Sequence, residues 1–123
     1  MKDMLLVGLG GGLGSIARFL CQRWLYSVYP HPFPIGTFLV NLAGCFLIGL
    51  FWGISLKSPG YSDSWKLFLM TGVCGGYTTF STFTFESIAM VKENKYDLFL
   101  LYIGCSVVMC LLATWAGLKL VRL

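Results

Sequence analysis

Residues 75–86 read Gly-Gly-Tyr-Thr-Thr-Phe-Ser-Thr-Phe-Thr-Phe-Glu, with six hydroxyl side chains interleaved with three phenylalanines and closed by a glutamate. Hydroxyls and backbone amides donate hydrogen bonds, and unpaired carbonyls accept them, so such a run can stand in for water around an ion. Glycine costs about 1 kcal/mol in a helix interior relative to alanine, and threonine competes for backbone bonds, so Gly75-Gly76 and Thr78-Thr79 predict a helix break. A break inside a membrane survives only where it is buried in protein or lines a cavity. Its free carbonyls then face cations and its free N–H groups face anions. Close helix packing is the alternative, because Gly72-x-x-x-Gly76 is also a small-xxx-small motif. Six hydroxyls exceed what packing needs, which favours an ion site over the packed contact.

Other residues have chemistry of their own. Phe80 and Phe83 are three apart and share a helix face. Ring edges carry partial positive charge and can favour an anion, but on spacing alone these two read as ordinary packing aromatics. Arg18 lies well inside the first apolar segment, where an arginine is costly and marks function by default. Snorkelling to the interface suits Arg23 better. Asn41 reaches the depth of Arg18 in a helical hairpin and can either donate to an anion or tie two helices together. Tyr102, Ser106, Cys110 and Thr114 follow one another at four-residue steps, a polar stripe that can line a pore or bond a neighbouring helix. Glu86, near the end of the third segment, has no base or nucleophile beside it in the sequence. His31 lies in a proline-rich loop and reads as solvated. Gly12-x-Gly14-x-x-Ala17 imitates a dinucleotide fingerprint, but no acidic residue stands between Asp3 and Asp63, where the ribose partner belongs. Those glycines, with Gly8-x-x-x-Gly12 and Gly10-x-x-x-Gly14, suit close helix contact instead.

The elements that position these residues follow from composition. The chain has 123 residues, 57% hydrophobic and 11% charged, against about 25% charged for an average soluble domain. Ile35–Leu56, Leu67–Phe85 and Leu98–Leu118 contain no ionisable Asp, Glu, Lys, Arg or His, and each approaches the ~20 residues that cross a bilayer. The sequence predicts a single all-α membrane domain over 1–123 with four transmembrane helices, about 4–29, 35–56, 65–91 and 98–118, the third broken near its centre. Met1-Lys2-Asp3 is too short to precede a cleavable signal, so the first span reads as a retained anchor. The five cysteines (Cys21, Cys45, Cys74, Cys105, Cys110) lie in apolar spans, where thiols act as small hydrophobes; no disulfide or metal role is expected of them. The linkers around 29–34, 57–63 and 92–97 are too short to hold a catalytic domain, so no enzyme is expected. Lys and Arg divide nearly evenly between the two faces, which permits insertion both ways up and hence an antiparallel dimer. The net charge of +4 is spread over both faces, so no nucleic-acid partner is expected.

Three stretches, GGGLGSIARF (10–19), GTFLVNLAGCFLIG (36–49) and GVCGGYTTFSTFTFE (72–86), closely resemble the Fluc, or CrcB, family of fluoride channels. The resemblance covers all four spans in order. It implies a dual-topology homodimer with two pathways, exporting fluoride passively across the inner membrane of a microbial cell. It further implies that Phe80 and Phe83 line the pore with Asn41, and that Arg18 matches the family's first-span arginine. Thr37, Tyr102 and Ser106 would add polar lining, and Ser81, Thr82 and Glu86 would belong to the pathway beyond the phenylalanines. Gly75 and Thr78 would give backbone carbonyls to a structural sodium ion at the dimer centre. Cys110 departs from the family pattern of a second hydroxyl one turn after Ser106, and Tyr77 and Thr84 replace the more usual Phe and Ser. A small proton-coupled multidrug exporter is the alternative. It would need a carboxylate within the first span, where this chain has Arg18, and a scaffold subunit would not need a broken third span.

Overall fold

The computed structural model describes residues 1–60 and 62–122; Tyr61, in the linker over 57–63, and Leu123 lie outside the described residues. Among the described residues every regular element is helical: α1 (Lys2–Val28), α2 (Ile35–Lys57), α3 (Asp63–Lys66), a π-helical segment π1 (Leu67–Cys74), α4 (Gly75–Tyr77), α5 (Phe80–Lys92) and α6 (Tyr96–Arg122). Three of them, α1, α2 and α6, are long and apolar enough to cross a membrane. The stretch from Asp63 to Lys92 is assembled from shorter pieces. In π1 the chain widens, so that the Gly75 N–H reaches back five residues to the Met70 carbonyl. Thr78 (φ −84°, ψ 159°) and Thr79 (φ −147°, ψ 118°) are extended.

Local chemistry sets the ends of these elements. The Thr79 side chain accepts from Thr82 N–H at 3.2 Å, an N-cap that starts α5. At the far end of α5 Asn94 adopts a left-handed conformation (φ 59°). Lys95 N–H then donates to the Met90 carbonyl and Asn94 N–H to the Val91 carbonyl, the paired closure that left-handed caps provide. Between α1 and α2 the Phe33 N–H donates to His31 Nδ1 at 3.0 Å, so the exposed histidine also shapes the proline-rich turn.

Small residues govern the packing, as expected where lipid is as apolar as the protein interior. A Cβ on Gly10 or Gly14 would collide with the backbone of π1 and α4, and one on Gly76 with the backbone of Gly11. The Gly10/Gly14 face is therefore the contact face, whereas Gly8 and Gly12 meet open space. A second close pair forms between α2 and α6, where a Cβ on Gly49 would meet Thr114, one on Gly53 would meet Leu118, and one on Gly117 would meet Phe46. Thr114 Oγ1 also donates to the Cys45 carbonyl at 3.0 Å. These pairs place α2 and α6 side by side and parallel, with facing residues 65 apart in number (114 − 49 and 118 − 53). Large apolar side chains such as Leu9, Leu13, Ile16, Leu20 and Leu111 point outward, while the polar Thr37, Ser87 and Ser106 are buried beside a small core of Phe83, Met90 and Tyr102. That outward apolar surface suits a lipid surround.

Candidate functional site

The register of α2 against α6 carries the site. Stepping back by single turns from Gly49 and Thr114, the facing pairs are Cys45 with Cys110, Asn41 with Ser106, and Thr37 with Tyr102. The four-residue stripe on α6 thus meets a matching stripe on α2. A groove of about 370 Å³ opens along it, bounded by Asn41 and Cys45, by Thr78–Phe80 and Phe83, and by Ser106, Cys110 and Thr114.

Asn41 fixes the extended residues. Its Nδ2 donates to the Thr79 carbonyl at 3.0 Å, and its Oδ1 accepts from the Thr79 N–H at 2.7 Å. A side-chain amide has two N–H donors, so one remains for the groove. Of the two readings of Asn41, tying elements together is seen directly, with a donor left over.

The clasp has a consequence for the carbonyls. In a continuous helix the Thr79 N–H would close onto Gly75 O, and the Thr82 N–H onto Thr78 O. Here Thr79 donates to Asn41, and Thr82 donates to the Thr79 hydroxyl. The carbonyls of Gly75 and Thr78 are thereby deprived of those donors, at the negative end of a helical segment. Between them Gly76 O accepts from Arg18 Nε at 3.1 Å and Ser15 Oγ at 3.5 Å. Arg18 does not line the groove; it holds the backbone of α4. The Thr78 hydroxyl donates to the Cys74 carbonyl at 3.0 Å, which directs the side chain back along its own segment.

Aromatic rings continue the wall. Phe80 and Phe83 have centroids 5.7 Å apart, Phe83 lies 5.0 Å from the Tyr102 ring, and Phe33 lies 5.4 Å from the Tyr102 ring. Phe83 is buried and Phe80 is 75% exposed. The Tyr102 and Ser106 hydroxyls are buried with no hydrogen-bond partner among the described residues. A buried hydroxyl without a partner costs about 1–3 kcal/mol; Tyr102 faces Thr37 and the Glu86 carboxylate, whereas Ser106 calls for an acceptor that the described residues do not supply.

One turn beyond, Thr37 Oγ1 donates to Glu86 Oε1 at 2.5 Å and accepts from Gln22 Nε2 at 3.1 Å. Tyr26 OH reaches the other Glu86 oxygen at 3.5 Å. Thr37, Glu86 and Tyr102 therefore belong to a network beside Phe83 rather than to the groove wall. Ser81 is exposed, and Thr82 is half-buried with its N–H on the Thr79 cap; neither bounds the groove. Gln22 and Tyr26 are site residues without a role in the sequence analysis, and Thr79 entered it only as part of the helix break. The first two had a signal, since Arg18, Gln22 and Tyr26 form a four-residue stripe on α1 like that on α6.

Residues 5–118 match the family described as CrcB-like protein, Camphor Resistance (CrcB). A protein of Flavobacterium psychrophilum named "Fluoride-specific ion channel FluC" is 45% identical over 122 residues, covering 99% of this chain and 98% of that one. A protein of the same name from Leptospira interrogans is 44% identical over 121 residues, covering 98% and 95%, and one from Rhizobium meliloti is 43% identical over 122 residues, covering 99% and 98%.

Proposed function

The chain belongs to the CrcB family, and from that premise we propose that it is a fluoride-selective channel, passing fluoride passively across a membrane and out of the cell. The observation that carries this reading is the buried, unpartnered hydroxyl of Ser106 in the groove, one turn from the Tyr102 hydroxyl and in series with the Phe80 and Phe83 rings. Fluoride is small, strongly hydrated and a strong hydrogen-bond acceptor. A path for it must replace water with donors that cost little to release, and hydroxyls, the free N–H of Asn41 and ring edges are such donors. Thr37, held between Gln22 and Glu86, extends the donor line past Phe83. Ser81 and Thr82 belong to the mouth beyond the phenylalanines. Arg18 acts through Gly76, keeping α4 in place. No chemical step is involved, so the protein is a channel and not an enzyme.

The working unit in this reading is a homodimer of two oppositely inserted copies in the inner membrane, with Asp63–Lys92 acting as one broken span. Support comes from Phe80, a pathway residue left 75% exposed by a single chain, and from the even division of Lys and Arg. A structural sodium ion at the dimer centre fits the residues present. The carbonyls of Gly75 and Thr78 lack their helical donors and lie at a negative helix end, and two copies would offer four hard oxygen donors. Bound there, the ion would join the two broken spans electrostatically; it is not part of the fluoride path.

The test is efflux from proteoliposomes loaded with fluoride or with chloride, a potassium ionophore clamping the potential. Fluoride should leave and chloride should stay. Equal rates for both, or no efflux, would overturn the assignment.

A further inference from the structure

The pathway uses hydroxyls and amides, yet one turn from Asn41 and Ser106 the same groove has two thiols. Cys45 of α2 and Cys110 of α6 both bound it. Both are free and only partly buried. The α2–α6 register sets them opposite each other, and Thr114 Oγ1 on the Cys45 carbonyl fixes the backbone at this level. Both side chains therefore stand at one level of the groove. No carboxylate or imidazole bounds the groove; the rest of its lining is apolar, from Phe80, Phe83, Val107 and Leu111, or neutral hydroxyl and amide. Two facing sulfurs are too few for the four-ligand shell of zinc, and thiols are not the hard charged oxygens that calcium or magnesium takes. They suit a soft cation content with two sulfur ligands.

We propose that Cys45 and Cys110 form a two-thiol site for a soft, two-coordinate metal cation, the class of Hg²⁺ and Cu⁺, and that a bound cation obstructs the groove. Binding makes two metal–sulfur bonds and breaks two S–H bonds, with both protons released to solvent and nothing oxidised or reduced. The obstruction rests on the reading of this groove as the fluoride path; the binding does not.

The experiment titrates HgCl₂ onto the reconstituted protein with two readouts. Alkylation by a small maleimide, mapped by mass spectrometry, reports shielding of each cysteine. Fluoride efflux, scaled to each variant's own metal-free rate, reports obstruction. Joint shielding of Cys45 and Cys110 at one mercury per chain, with loss of efflux, is the expected result. Cys45→Ser and Cys110→Ser should each need ~100-fold or more mercury, because the second sulfur no longer binds from within the same site. Cys110→Ser restores the family's hydroxyl and guards against a variant that fails to fold. Cys105→Ser should titrate as the unaltered chain. Failure of the pair to be shielded, or single variants that titrate unchanged, would overturn the site and leave the pathway reading intact. Shielding with undiminished efflux would overturn the obstruction and count against the groove as the path.

Discussion

Phe80 and Phe83 sit three residues apart on one helix and differ in almost everything else. Phe83 is buried against Tyr102, and Phe80 is 75% exposed with a ring that this chain alone does not cover. Phe→Ile removes the positive ring edge at either position and nearly keeps volume. Stability should hold in Phe80→Ile and fall by about 1–1.5 kcal/mol in Phe83→Ile, where a packed ring pair is lost. Fluoride efflux should collapse in both, well beyond what that packing loss explains. Liposome efflux beside a thermal unfolding curve separates the effects, and unaltered flux in both variants would return the rings to packing. Asn41 makes a sharper case, because its side chain both closes the Thr79 backbone and lines the groove. Asn41→Ala leaves the Thr79 N–H and carbonyl unpaired and should cost about 2–4 kcal/mol for the two groups. The same substitution at Ser81, which is exposed, should change stability by less than about 0.5 kcal/mol. Matching unfolding midpoints for the two alanine variants would contradict the clasp.

At the scale of elements, the sequence made some features legible and hid others for a physical reason. The stripe Tyr102–Ser106–Cys110–Thr114 and the glycine-threonine run were readable because helix period and helix propensity are local properties. The destination of Asn41 was not, since it depends on how α2, the extended residues and α6 meet. That register is set by Gly49, Gly53 and Gly117, which are silent about their partners until the helices are side by side. Arg18 was readable as costly, but its hydrogen bond to Gly76 O is a tertiary fact. π1 was not foreseen, because no residue type in Leu67–Cys74 demands the wider winding; π segments do recur beside functional sites. The carbonyls released near π1 lead to a prediction about sodium. Replacing Na⁺ by a large organic cation should destabilise the protein, by up to ~2.7 kcal/mol if the ion was present at a hundred times its dissociation constant. Thr78→Val removes one hydroxyl bond to Cys74 O, about 1 kcal/mol, and should leave the sodium dependence intact because the ligand is backbone oxygen. A midpoint indifferent to sodium would remove the ion from the account.

The whole molecule poses the question of what completes it. One chain leaves Phe80 on its surface beside an open groove, and offers two carbonyls where the proposed sodium ion needs more donors. A second copy inserted the same way up would put the two Gly75/Thr78 sets on a shared axis but give both grooves the same polarity. A second copy inserted upside down places the two breaks together at mid-membrane and runs the grooves in opposite senses. The charge distribution allows that arrangement: Lys2, Lys57, Lys66, Lys119 and Arg122 lie on one face, with Arg23, Lys92 and Lys95 on the other. Orientation follows such positive charges near the ends of spans, and five against three gives only a small bias. Reporters of cytoplasmic and periplasmic location fused to the C-terminus should therefore both be active in one population of cells. Adding two lysines to the 57–63 loop, on the face that already has five, should tip the balance toward one orientation and lower fluoride resistance, and co-expressing the oppositely biased variant should restore it. A single orientation for the unaltered chain, with full fluoride efflux, would rule out the upside-down pair.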